Sequence, residues 1–282
     1  MRANREGFMI RKFHRPETVE EAVQLKERLG NRAIFLAGGT EVNSSSFAFP
    51  GDQVISLASL GLGGVRVTEA ELVVGAFCTI AELTEAAGVP KCVQAAGLNV
   101  VNRNIRNVAT VGGHLASSKS CGDLVPVLVV LEAVLDTASP GGTGTVPVLE
   151  YLGLESKPLV TRVRIPRADA GRQVAVGKYS RTFNDMSILT AAVALSRDGD
   201  CIRDPIVAAG GVARHVVRLE GVEGKLRDRD LPDREEVESW VADAVAPVSD
   251  VRGSAAFKRY RAGVLVATTV QRAYRGEGEG GR

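Results

Sequence analysis

A chain of 282 residues is long enough for two domains of ordinary size, each with its own core. Apolar residues make up 45% and charged residues 24%, the mix of a globular protein, and a formal net charge of +2 calls for neither nucleic acid nor an anionic membrane as partner. Aromatics at 5% argue against a base-stacking surface, and no window reaches the run of about 18 apolar residues that a membrane span needs.

In chain order, a strand over Phe8–Phe13 is followed by a helix that Thr18 and Glu21 open as a capping box, with Val19, Ala22, Val23 and Leu29 on one face. An apolar strand, Ala33–Ala37, stops at Gly38-Gly39-Thr40, and another follows at Gln53–Leu57. This order is α/β in character. A hairpin then runs through Gly64–Thr68 and Glu71–Ala76, Thr79 opens a helix to Ala87, and a second apolar helix spans Lys91–Leu98. Beyond Ala109-Thr110-Val111-Gly112-Gly113-His114 come a helical run, Leu124–Glu132, a strand pair at Val134–Asp136 and Gly144–Pro147, and a strand ending in Arg164-Ile165-Pro166.

The charged stretch Arg167–Arg172 reads as a linker. After it, Val174–Ser180, Ser187–Ser196 and Asp204–Gly211 read as three antiparallel strands, and helices are predicted at Arg234–Ala244 and Ala255–Tyr274. The final Gly- and charge-rich residues, 276–282, read as a disordered tail. The expected organisation is therefore α+β: a first domain over 1–170, with subdomains at about 1–58 and 59–170, then a smaller α+β domain over 171–275.

The four cysteines, Cys78, Cys92, Cys121 and Cys201, show no CxxC spacing and no histidine beside them, so no metal or iron–sulfur site is expected on this chain. The N-terminal segment lacks the apolar run of a signal peptide, and a cytoplasmic protein is expected.

Chemistry concentrates at two glycine turns. In Leu36-Ala37-Gly38-Gly39-Thr40-Glu41-Val42 a strand runs into two residues without Cβ, where successive amides can face one anion, a phosphate above all. Ala109-Thr110-Val111-Gly112-Gly113 again pairs a hydroxyl with adjacent glycines, and two such turns suit the diphosphate of a dinucleotide. Neither belongs to GxGxxG or GxxxxGK[ST], which disfavours a Rossmann or P-loop site.

The string Asn104-Ile105-Arg106-Asn107-Val108-Ala109-Thr110-Val111-Gly112-Gly113, with Gly122-Asp123-Leu124-Val125-Pro126 after it, resembles the FAD-binding subunits of molybdenum hydroxylases, the family of xanthine dehydrogenase and carbon monoxide dehydrogenase flavoproteins. The resemblance continues through Lys178, Ala209-Gly210-Gly211-Val212-Ala213 and Asp250-Val251-Arg252-Gly253-Ser254 with Tyr260. It implies a two-subdomain FAD-binding domain of the vanillyl-alcohol-oxidase (PCMH) type followed by the smaller C-terminal domain. It implies that Leu36 to Val42 wrap the FAD diphosphate, with Thr110, Gly112, Gly113 and His114 on its other side. Asp123 would bond a sugar or ribityl hydroxyl, Val160 and Thr161 would lie near the isoalloxazine ring, and Lys178 near its polar edge.

By the same resemblance the chain is an electron-transfer subunit. It would take electrons from [2Fe–2S] clusters on one partner and pass them to NAD+ or another acceptor, with molybdopterin on a large partner subunit. The alternatives are a non-catalytic assembly module of the same fold and a stand-alone flavin oxidase. His114 stands where the family usually has Asn, and Ser117-Ser118-Lys119-Ser120-Cys121 replaces a more apolar, Pro-containing stretch. His114 reads as a cofactor neighbour or a hydrogen-bonded structural residue, and Glu41 as a cofactor-positioning group or a cap.

Overall fold

A computed structural model describes residues 10–44, 49–167 and 171–277. The expected start of the first strand at Phe8, the middle of the linker and the last five residues of the tail lie outside them.

Three sheets organise the described residues. The first holds β1 (Lys12–His14), β2 (Ala33–Leu36) and β3 (Gln53–Ser56), parallel in the order β1-β3-β2, with helix α1 (Val19–Leu29) as the crossover. Thr18 caps α1 by accepting from the Glu21 amide, but the Glu21 carboxylate returns to the Glu17 amide rather than to Thr18, so only half of the expected box forms. Ala22, Val23 and Leu25 make its buried face.

The second sheet is antiparallel, in the order β4-β5-β8-β6-β7: β4 (Val65–Val67), β5 (Glu71–Gly75), β6 (Val134–Ser139), β7 (Gly142–Pro147) and β8 (Leu159–Pro166). The β6–β7 pair is longer than expected, because polar residues that break the apolar pattern still pair as far as Ser139 and Gly142. Between β5 and β6 lie α2 (Ile80–Glu85), α3 (Lys91–Leu98), α4 (Arg103–Arg106), α5 (Val111–Ala116) and α6 (Val125–Val130), and α7 (Val148–Gly153) precedes β8.

The third sheet has four strands, not three: β9 (Gln173–Tyr179), β10 (Leu189–Asp198), β11 (Cys201–Gly210) and β12 (Val217–Arg218), in the order β12-β11-β10-β9. The added strand is a two-residue edge, too short to leave an alternating pattern in the sequence. Helices α8 (Glu220–Leu226), α9 (Arg234–Ala244) and α10 (Ala255–Tyr274) cover one face. β10 is apolar on both sides because both sides are covered: Ala191, Val193 and Leu195 pack towards the helices, Ala192 and Ala194 into the core that holds α6. Among the described residues no helix is long and apolar enough to cross a membrane.

Candidate functional site: a cleft between two glycine segments

β2 delivers the chain into the first glycine turn. Gly39 adopts φ +71°, the left-handed region that L side chains rarely occupy, and the turn closes with the Asn43 amide on the Gly39 carbonyl at 2.9 Å. At Gly38 a Cβ would lie 1.8 Å from the Val108 carbonyl oxygen, so this turn is pressed onto the backbone of the second glycine segment. The amides from Gly38 to Val42 have no acceptor among the described residues. These residues are half-buried, and their run of donors without protein partners borders a cleft.

The second segment is built differently. Thr110 is the N-cap of α5, its hydroxyl accepting from the Gly113 amide at 3.2 Å. The Val111 and Gly112 amides donate to the carbonyls of Cys78 and Ala76, at 2.9 and 2.8 Å. These donors are spent inside the protein, so the expectation of a second open amide nest is corrected: this segment is a capped helix start docked on the end of β5. Gly112 is needed for that docking, since a Cβ there would meet the Ala76 Cβ at 2.7 Å.

The chain then folds back over the cleft. His114 accepts from the Leu124 amide on Nε2 at 3.4 Å, which places its proton on Nδ1. Burial and, second, the nearby Lys119 charge lower its pKa to about 4, so it is a neutral structural residue holding the loop. Asp123 is buried and accepts from the Ser187 hydroxyl at 2.5 Å. Burial pushes its pKa up to about 6, against the opposing pull of Ser187 and of the Lys178 charge. Lys119 and Glu41 form an ion pair of 2.5 Å that joins this loop to the first turn. The buried Cys121 thiol lies 3.3 Å from the Arg252 guanidinium.

Together these segments enclose a cleft of about 500 Å3. Ala37, Gly38, Gly39, Thr40, Glu41, Val42, Thr110, Gly112, Gly113, His114, Asp123 and Val160 all line it. Leu36 does not, although its neighbours Phe35 and Ala37 do. Thr161 is also outside the lining, and its hydroxyl donates to the Asp136 carbonyl. Lys178 departs most from expectation: its ammonium donates to the carbonyls of Asn99, Phe183 and Asp185, at 2.7, 3.1 and 2.9 Å, and it too lies outside the lining. With three protons on three carbonyls, Lys178 is a structural tie. The lining also holds Phe35, Phe77, Val101, Tyr151, Lys157 and Met186, which sequence reasoning did not single out. Only Phe35, in the strand that feeds the glycines, carried a positional signal.

Residues 8–168 match the model of the FAD-binding domain in molybdopterin dehydrogenase, and residues 175–273 that of the CO dehydrogenase flavoprotein C-terminal domain. The chain belongs to this family of flavoproteins. It is 35% identical to the YgfM protein of Escherichia coli K12 over 92% of this chain and 95% of that one. It is 29% identical to the carbon monoxide dehydrogenase medium chain of Afipia carboxidovorans, over 93% and 96%. Among solved structures, a carbon monoxide dehydrogenase from Hydrogenophaga pseudoflava superposes with a TM-score of 0.88 at 26% identity, covering 95% of this chain and 98% of that one. Quinoline 2-oxidoreductase from Pseudomonas putida 86, at 20% identity and a TM-score of 0.85, shares the fold.

The cleft fits the cofactor of an FAD-binding molybdenum hydroxylase subunit. Its free amides suit a diphosphate, and Ile34, Phe35, Leu57, Leu62 and Phe77 give part of the wall the apolar character that flat ring systems require. Among the described residues no group of His, Cys, Asp and Glu could hold a metal ion.

Proposed function

We propose that the chain binds FAD in this cleft and serves as the electron-transfer subunit of a multi-subunit, xanthine dehydrogenase-like molybdenum hydroxylase. FAD would supply the capacity to accept electrons from [2Fe–2S] clusters on one partner subunit and release them to NAD+ or another acceptor, with the molybdopterin on a large partner subunit. The observation that carries the reading is the seating of Gly38 on the Val108 carbonyl, which sets a row of free amides against the second segment in one cleft.

The chain's own groups divide the work. The amides of Gly38 to Val42 and the Thr40 hydroxyl would bind the diphosphate. Asp123, held by Ser187, would accept from a ribityl or sugar hydroxyl. Val101, Ile105, Ala109 and Val160 would exclude water along the wall. In this reading residues 1–170 form the FAD-binding domain, with subdomains 1–58 and 59–170, and 171–275 form the second domain. Purified protein is expected to show a flavin absorption spectrum with about one FAD per chain. A colourless chain that cannot be reconstituted with FAD would return the function to a non-catalytic assembly module.

A further inference from the structure

We propose that Lys119 is the cation of the diphosphate subsite, held beside the first glycine turn by Glu41. The inference rests on the FAD reading and adds to it a charged partner from outside the glycine segments.

The argument begins with charge. A dinucleotide diphosphate is dianionic, and the turn whose free amides would hold it also carries the Glu41 carboxylate, which lines the same cleft. An amide nest supplies only partial positive charge, so a carboxylate beside it opposes the binding of an anion unless a cation offsets it. Among the described residues three lysines line the cleft, Lys26, Lys119 and Lys157. Lys26 donates to the Gly30 and Ala33 carbonyls, and Lys157 to those of Leu152 and Leu154, so each is fastened to backbone of its own neighbourhood. Lys119 is fastened to the turn itself, its Nζ 2.5 Å from Glu41 Oε2. An ammonium has three N–H groups and Glu41 takes one, which leaves donors for a phosphate oxygen. Lys119 and Glu41 are each about a third exposed, at 31% and 34%, so the pair sits at the cleft's margin, where it can exchange partners without unfolding anything. The charge of Lys119 also reaches inward, for it is among the causes that hold His114 neutral.

A phosphate–ammonium contact is a charge-assisted hydrogen bond, and its removal reads as a large loss of affinity. The test is FAD titration of the full-length chain, stripped of flavin and followed by flavin fluorescence, for the wild type, Lys119→Gln, Lys119→Arg and Glu41→Gln at low and high salt. Lys119→Gln is expected to weaken FAD binding by about tenfold or more at low salt. It should also flatten the salt dependence, while Lys119→Arg retains most of the affinity. Glu41→Gln is expected to weaken FAD binding less than Lys119→Gln does, because it removes the opposing carboxylate together with the group that holds the ammonium. Thermal melting of the flavin-free variants checks that each is folded.

Wild-type affinity in Lys119→Gln overturns the inference and leaves the FAD reading standing. Equal weakening in Lys119→Gln and Glu41→Gln also overturns it, since the pair would then act only as a strap between two loops. A wild-type chain that binds no FAD removes both.

Discussion

Two ionisable side chains in the loop over the cleft, His114 and Asp123, have pKa values that desolvation shifts towards their neutral forms, and their effects on stability run in opposite directions with pH. The folded pKa of His114, about 4, lies below its ordinary 6.5, so the stability tied to the neutral ring is full above 6.5 and is lost as pH falls towards 4. The folded pKa of Asp123, about 6, lies above its ordinary 3.8, so the stability tied to its protonated form is full below 3.8 and is lost as pH rises through 6. Each masks the other between about pH 4 and 6.5. Asp123→Asn is expected to uncover the histidine, so that its urea-unfolding free energy falls more steeply than that of the wild type on acidification through this window. His114→Gln should give the reverse, a chain that gains stability as pH drops from 6 to 4. Parallel pH curves for all three proteins would show that the two groups are not buried as described.

At the scale of elements, the two glycine motifs look alike in sequence and do different work. The first is a strand end whose amides stay free, and its glycines answer to φ at Gly39 and to backbone contact at Gly38. The second is the N-terminus of α5, closed by its own threonine. The two should therefore fail differently. Thr110→Ala removes a cap and is expected to cost about 1 kcal/mol in chemical unfolding while FAD is retained. Gly38→Ala places a methyl group inside the distance of any real contact with Val108 and is expected to part the two segments, lowering flavin content as well as the melting temperature. Equal flavin content in Gly38→Ala and wild type would remove the seating of the turns from the account of the cleft.

The whole molecule is tied together across the expected linker. Val176, Ala192, Ala194, Ile206 and Ala208, from the C-terminal sheet, and Val216, just before β12, belong to the same apolar core as α6 and the sheet that holds β5 and β8. The Gly211 amide donates to the Ser120 carbonyl at 2.6 Å, and Lys178 ties Asn99, at the end of α3, to the loop after β9. An interface of this apolar kind does not slide freely. Residues 171–275 expressed alone are therefore expected to expose an alanine- and valine-rich sheet face, to bind a hydrophobic dye and to associate. A monomeric fragment that binds no dye would show that the sheet does not depend on α6.

Much of this could be read from the chain itself, because local chemistry specifies it. The apolar strand before Gly38, Thr79 as the hydroxyl at a helix start, and the long helices α9 and α10 follow from propensity, periodicity and capping, all of which act within a few residues. The ordered motifs that marked the family are of the same local kind. Tertiary structure alone decided which amides stay free, because that depends on carbonyls such as those of Ala76 and Cys78, contributed from another part of the chain. It alone turned Lys178 from a cleft cation into a tie between loops and brought Lys119 to Glu41. A side chain's charge is written in the sequence, but its partner is chosen by packing between segments that no local pattern records.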